Sequence, residues 1–377
     1  MDHVLLYIHD YRSSGVVRNA LAYAHRLAQD RPTTLVSGYG QGHFCDAAGQ
    51  APFRSVSLAP APGPWPRAAA ALRLRRWLAS QPGGLLLSAG NMGHPTCYWA
   101  TRGDARFRRV YRISNAIERG DGLKGLSRRM WMTMLAGDAA RIVLVGDANN
   151  HVEPFASALA RGRAIAIANG VDRAAALQAA AAPCPHPWLG EGVPTVLAIG
   201  RLRPQKNFDR LIEAVARARP ARRLRLIILG GGPEDERRRL AAAGDAAGLG
   251  EDLLLAGETD NVFAWLARAD AFALPSLWEG SSMALLEALA VGVPVVAARQ
   301  AGDAEGVLAG GRCGLLVDGR DVESLADALL MQTSRDAIRP GDRADCYPPS
   351  ADAYARLVQD LLTDRRQAPR KALALGR

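Results

Sequence analysis

The sequence predicts an α/β protein of two Rossmann-like domains that face each other across a cleft. Three observations carry this reading. The chain has 377 residues, enough for two domains of roughly 150–200 residues each. Short apolar runs alternate with longer helical stretches along its whole length, the pattern of βαβ units and parallel sheets. A stretch of alanines and prolines near the middle, with Pro183, Pro185 and Pro187, divides these runs into two series.

The first series starts with VLLYI at 4–8, a turn at 12–15 and a helix from about Val16 to Ala28. TTLVSG at 33–38, GLLLSAG at 84–90, RVYRIS at 109–114 and RIVLVG at 141–146 follow. The second series is TVLAIG at 195–200, LRLIILG at 224–230, DLLLAG at 252–257, AFALPS at 271–276, PVVAA at 294–298 and GLLVD at 314–318. The expected organisation is a first domain at 1–182, a linker at 183–193, a second domain at 194–349, a helix at 350–363 packing back toward the first domain, and a basic tail at 364–377. Ligands of such sheets bind outside the carboxyl ends of the strands, so the cleft is where chemistry is expected.

Composition narrows the function. About half the residues are apolar and 22% are charged, which suits a chain with a sizeable core. No apolar run reaches the roughly 18–20 residues that span a bilayer, and the start lacks the pattern of an export signal. The five cysteines are scattered without a CxxC pair, as reduced thiols of a cytoplasmic protein would be. A net charge of +10 comes without any helix-turn-helix, zinc-ligand or RNP-like pattern, so no nucleic-acid partner is expected. The segments from Trp65 to Leu78 and Lys124 to Leu135 mix Arg or Lys with Trp, Leu and Met at helical spacing. They fit either sheet-packed helices with wet basic faces or peripheral contact with an anionic membrane surface.

The densest motif is Ser276-Leu277-Trp278-Glu279-Gly280-Ser281-Ser282-Met283-Ala284-Leu285-Leu286-Glu287, then Gly292-Val293-Pro294. It reads as strand, turn and helix, and the helix N-terminus offers free N–H groups and a positive dipole end to a diphosphate. A second run, Gly200-Arg201-Leu202-Arg203-Pro204-Gln205-Lys206-Asn207, joins a strand to a helix and supplies two cations. A departing diphosphate needs such charge neutralisation, and an Arg with a Lys provides it in a desolvated cleft without a metal.

A Glu, seven residues and a Glu inside this frame resemble the retaining glycosyltransferase family 4, which has the GT-B fold. The glycine turn at Gly230-Gly231-Gly232, the stretch from Ala269-Asp270 to Ser276, and Asn169-Gly170-Val171-Asp172 extend the resemblance. It implies transfer of a hexose from a nucleotide diphosphate sugar, UDP-sugar before GDP-sugar, to a hydroxyl of a growing cell-surface glycan, free or lipid-linked. By position, Glu279 holds the sugar hydroxyls and Glu287 the ribose, while Gly280, Ser281, Ser282 and Met283 meet sugar and diphosphate. Gly200 sits beside them, Arg201 and Lys206 stabilise the leaving group, and Gly15 approaches the phosphates. The nucleotide sugar is a co-substrate; no cofactor is expected.

The acceptor half is less defined. Relatives place a histidine after a middle strand, and here Asn91 and His94 are both candidates, Asn91 for the donor and His94 for catalysis; a structural histidine is the alternative reading of His94. Arg18 on the first helix suits either an anionic group or solvent. The absence of Asp-x-Asp and of clustered histidines gives no metal site. The rival readings are a GT-B sugar-nucleotide epimerase or hydrolase, a non-catalytic partner of a transferase, and a basic nucleic-acid-binding protein.

Overall fold

The computed structural model describes residues 3–12, 14–114, 122–146, 149–341 and 347–367; Ser13, Cys346 and the expected basic tail beyond 367 lie outside them. Among the described residues, thirteen strands form two sheets. The first holds β1 (Val4–Ile8), β2 (Thr33–Ser37), β3 (Arg54–Ser57), β4 (Gly84–Ser88), β5 (Phe107–Ile113), β6 (Arg141–Leu144) and β7 (Ala164–Ala166), in the order β3-β2-β1-β4-β5-β6-β7. The second holds β8 (Thr195–Ile199), β9 (Arg225–Leu229), β10 (Leu253–Gly257), β11 (Ala271–Leu274), β12 (Val295–Ala298) and β13 (Leu315–Val317), in the order β10-β9-β8-β11-β12-β13.

Every pairing is parallel, and both sheets reverse strand order beside their first strand, between β1 and β4 and between β8 and β11. Those are the switch points of doubly wound sheets. The central strands are apolar because helices cover both faces; β1, β2, β4 and β8 are buried throughout. The edge strands β3 and β7 carry no such run. With sequences RSVS and AIA and half-exposed side chains, they fall below what apolar patterning reveals.

The domain boundary differs from the expected one. Helix Arg173–Ala180 packs on the second-domain helices Val262–Leu266 and Met283–Val291. Asn261 Nδ2 donates to Ala179 O at 2.8 Å, and Arg268 donates to Ala180 O and Ala182 O at 3.0 and 2.6 Å. The expected linker at 183–193 is likewise docked on the second domain: the Arg225 guanidinium lies 4.9 Å from the Trp188 ring centroid, and His186 stacks on Trp265. The chain crosses at Gly170–Val171, where it runs against the returning segment. Val171 N donates to Tyr347 O at 3.0 Å, and a Cβ on Gly170 would sit 1.7 Å from Pro348 O.

Helix Ala351–Gln367 lies on the first domain. Its Tyr354 stacks on Tyr23 at 4.0 Å and is fully buried with it, and Tyr23 Oη shares a 2.9 Å hydrogen bond with Ser350 Oγ. Among the described residues, Cys45, Cys97, Cys184 and Cys313 are free thiols, and no helix is long and apolar enough to cross a membrane.

Candidate active site

The site forms where two second-domain loops meet the first helix of the opposite domain. The loop after β8 is shaped by Asn207, a non-glycine residue in the left-handed region at φ 56°, whose Nδ2 donates to Pro275 O and Gly319 O at 3.1 and 2.7 Å. Gln205 Nε2 donates to Trp278 O at 2.7 Å, and Leu277 N donates to Gln205 O at 3.0 Å. These bonds fasten the loop to the one after β11. A Cβ on Gly200 would lie 2.7 Å from Lys206 Cε, so any other residue there would push the lysine stem off its present course. Lys206 Nζ meets Glu279 Oε1 at 2.5 Å, both side chains largely shielded from solvent.

Arg201 faces the same cleft with no ion pair among the described residues. Burial by the cleft walls lowers its pKa, and the neighbouring Arg203 and Arg12 charges add to that. An unsatisfied guanidinium beside other cations is a seat for an anion.

Helix Met283–Val291 begins at this point. Ser282 precedes it in extended conformation without capping through its side chain, which leaves the first-turn N–H groups directed at the cleft. Ser281, Ser282 and Met283 line the cleft, and Gly280 is buried behind them. A Cβ on Gly15 would lie 2.8 Å from Met283 Cγ, so glycine sets how closely the two domains approach.

Glu287, one of the most buried carboxylates of the fold, is 3% exposed and pairs with Arg18 Nη1 of the first domain at 2.6 Å. Its Oε2 has no partner. Burial raises the Glu287 pKa, and Arg18 opposes that only in part. The anionic group that Arg18 reaches is therefore the opposing glutamate. The remaining cleft is small, about 180 Å³, against the roughly 300–1,000 Å³ of ordinary ligand pockets. A ligand larger than this cleft requires Arg18 to swing away or the domains to part.

A buried polar relay that sequence patterning did not reveal lies behind this contact. Arg112, 1% exposed in the middle of β5, donates to Ala89 O at 3.1 Å and to Asn169 Oδ1 at 2.8 Å. Asn19 Nδ2 donates to the same Oδ1 at 3.2 Å, and Asn169 Nδ2 donates across the interface to Ser281 O at 3.3 Å. Strand arginines normally read as edge or surface residues; only the tertiary fold shows this one to be internal.

His94 is not in the cleft. It starts helix His94–Thr101 fully buried, its Nδ1 2.7 Å from Ser88 Oγ and its ring edge-on to Tyr111, while Nε2 is unpartnered. Burial pushes its pKa down to about 3, so it is a neutral core residue. Asn91 lies on the first-domain wall beyond this cleft, its Oδ1 accepting from Ser114 N at 3.0 Å. Among the described residues, no three His, Cys, Asp or Glu side chains converge to hold a metal ion.

Two Rossmann-like domains closed over such a cleft are the GT-B fold. Anabaena HepE in complex with UDP-glucose superposes with a TM-score of 0.78 over 96% of this chain and 99% of that one, at 17% identity. Sucrose-phosphate synthase from Thermosynechococcus elongatus superposes at 0.74 over 96% and 99%, also at 17% identity.

Residues 193–335, which form most of the second domain, match the family described as Glycosyl transferases group 1. The GDP-mannose-dependent alpha-(1-6)-phosphatidylinositol monomannoside mannosyltransferase of Mycobacterium tuberculosis is 37% identical over 153 residues, 37% of this chain and 38% of that protein. The lipopolysaccharide core biosynthesis mannosyltransferase LpsB of Rhizobium meliloti is 34% identical over 171 residues, 44% and 47% of the two chains. The match thus spans less than half the length of these relatives.

Proposed function

We propose that the protein is a retaining glycosyltransferase that moves a hexose from a nucleotide diphosphate sugar to a hydroxyl of a growing cell-surface glycan. The observation that carries this reading is the convergence of Lys206, Glu279 and unpaired Arg201 on the open N-terminus of helix Met283–Val291. That arrangement suits a diphosphate leaving group with the sugar held beside it.

The C1–O bond to the β-phosphate breaks while the acceptor oxygen bonds C1 on the same face, and the acceptor proton passes to the leaving phosphate oxygen. Arg201, Lys206 and the helix N–H groups take up the growing negative charge, and Glu279 fixes the sugar hydroxyls. No metal or cofactor enters this scheme. Glu287 accepts hydrogen bonds from the ribose once Arg18 has released it.

UDP-sugar is the first donor to test and GDP-sugar the second, since the Anabaena fold neighbour is in complex with UDP-glucose and the mycobacterial relative is GDP-mannose-dependent. The acceptor is a glycan, free or lipid-linked. Helices Pro66–Ala79 and Gly122–Asp138 expose Leu72, Leu126 and Met130 beside arginines, which favours work at the inner, anionic face of the cytoplasmic membrane.

The test is a panel of UDP- and GDP-hexoses with the purified chain, read as donor consumption. Lys206→Ala should cut kcat by about 10²–10³-fold, and Glu287→Ala should weaken donor binding. Wild-type rates in both variants would sink the site assignment. Release of free sugar or of an epimer, with no product on any acceptor, would favour a hydrolase or epimerase instead.

A further inference from the structure

On the first-domain side the cleft opens into a groove of two adjoining chambers, of about 790 and 670 Å³, which share His9, Asp10, Arg12 and Met92. The inner chamber reaches Arg201, Arg203 and Glu258 of the second domain. The outer one is walled by the first domain alone, with Tyr39, Trp65 and Arg67.

Two independent features of the groove point to a ligand. The first is Trp65, which is 83% exposed and held at φ 54°, in the left-handed region that disfavours every side chain but glycine. The fold gains no burial of the indole in return. It nevertheless pins the turn, with Tyr39 Oη donating to Pro66 O at 2.5 Å and Ala69 N donating to Trp65 O at 3.0 Å. Met92, 47% exposed, completes an apolar mouth.

The second is charge. Among the described residues, the groove presents Arg12, Arg67, Arg201 and Arg203 against only Asp10 and Glu258. Arg12 pairs with Asp10 at 2.6 Å. Arg67 forms no ion pair among the described residues; its guanidinium rests on Met92 Sδ at 3.5 Å. Arg67 lines the chamber that contains no second-domain residue among those described, and it stands apart from Lys206 and Glu279. Between the mouth and the donor site sits His9, whose buried Nδ1 has no partner. Burial lowers the His9 pKa, Asp10 opposes this, and Arg12 and Arg67 reinforce it, so its ring is neutral and able to hydrogen-bond a hydroxyl.

We propose that this groove is the acceptor site and that the acceptor carries an anionic group, a phosphate or a carboxylate, beside its sugar ring. The ring lies against Trp65 and Met92, the anion meets Arg67, and the receiving hydroxyl points past His9 and Asp10 toward Glu279. The assignment rests on the transferase reading and names its acceptor class.

The test uses the full chain with its donor site filled by UDP or GDP. Methyl α-glucoside, glucose 6-phosphate, glucuronic acid and inorganic phosphate are titrated by calorimetry and saturation-transfer NMR. The charged sugars should bind about tenfold or more tightly than the neutral one. Arg67→Gln should erase that margin. Trp65→Gly, which suits the local backbone, should weaken all three sugars by roughly five- to tenfold while nucleotide affinity and melting temperature hold.

Inorganic phosphate displacing glucose 6-phosphate assigns a phosphate; tighter binding of glucuronate assigns a carboxylate. Equal affinity for neutral and charged sugars, no binding of any sugar, or unchanged affinities in both variants would overturn the proposal. A chain that binds these sugars but no nucleotide would instead count against the transferase reading.

Discussion

Replacing Arg18 by alanine tests whether its ion pair is what lets Glu287 stay buried between the domains. Glu287 is 3% exposed and Arg18 30%, with 2.6 Å between them. With charge centres about 4 Å apart and an effective dielectric of about 20, the attraction is about 4 kcal/mol. Because Arg18 is partly solvated, the expected cost of losing it is about 2–3 kcal/mol, near the lower end for breaking a buried pair.

The sign with pH follows from Glu287. Burial already holds its folded pKa above the ordinary 4.5, and removing Arg18 raises it further. A carboxylate with a raised folded pKa weakens the fold as pH climbs from the unfolded value through the folded one. The Arg18→Ala deficit should therefore shrink as pH falls below the ordinary 4.5, where Glu287 is protonated in both states, and grow as pH rises above it.

In thermal melts this amounts to a drop of roughly 3–4 °C at high pH and almost none at low pH. Adding Glu287→Gln to the variant should recover most of it. A deficit equal at both pH values would refute the electrostatic reasoning. So would a variant that melts like wild type at high pH, because water would then reach Glu287 without Arg18 having to leave.

EDTA should leave transfer rates within about twofold of untreated enzyme, since Arg201 and Lys206 carry the charge neutralisation; a rate restored only by a divalent ion would contradict this. His94→Asn should change kcat little. It should also flatten the acid loss of stability that wild type shows between about pH 6.5 and its folded pKa of about 3, because a buried histidine that resists protonation weakens the fold as pH falls through that window. Vesicles with anionic lipid should sediment the protein in a salt-sensitive way, and Met130→Asp should reduce that binding; equal sedimentation with neutral vesicles would argue against the basic helices as the contact.

Local chemistry explains which parts of this structure were legible in the sequence. A strand covered by helices on both sides must be a run of apolar residues, so β1, β4, β8 and β11 stand out, while the polar edge strands β3 and β7 do not. The turn and helix from Glu279 to Glu287 and the loop from Gly200 to Asn207 are contiguous, so their residues could be named before their geometry was known.

Residues brought together from distant parts of the chain are another matter. No local pattern distinguishes a surface histidine from His94, or a surface strand arginine from Arg112, because burial depends on what the other elements cover. The boundary was misplaced for the same reason: prolines at 183–187 suggest a free linker, yet that segment docks through Trp188, and the crossing is set by Gly170 against Pro348.

The sequence by itself determined the two-domain α/β architecture, the strand-loop-helix frames, and the candidate donor residues Arg201, Lys206, Glu279 and Glu287. Only the tertiary structure decided how they are paired: Lys206 to Glu279 within one domain and Arg18 to Glu287 across two. Sequence specifies which charges exist. Which charge loses its water, and which partner replaces that water, depends on the packing of elements far apart in the chain.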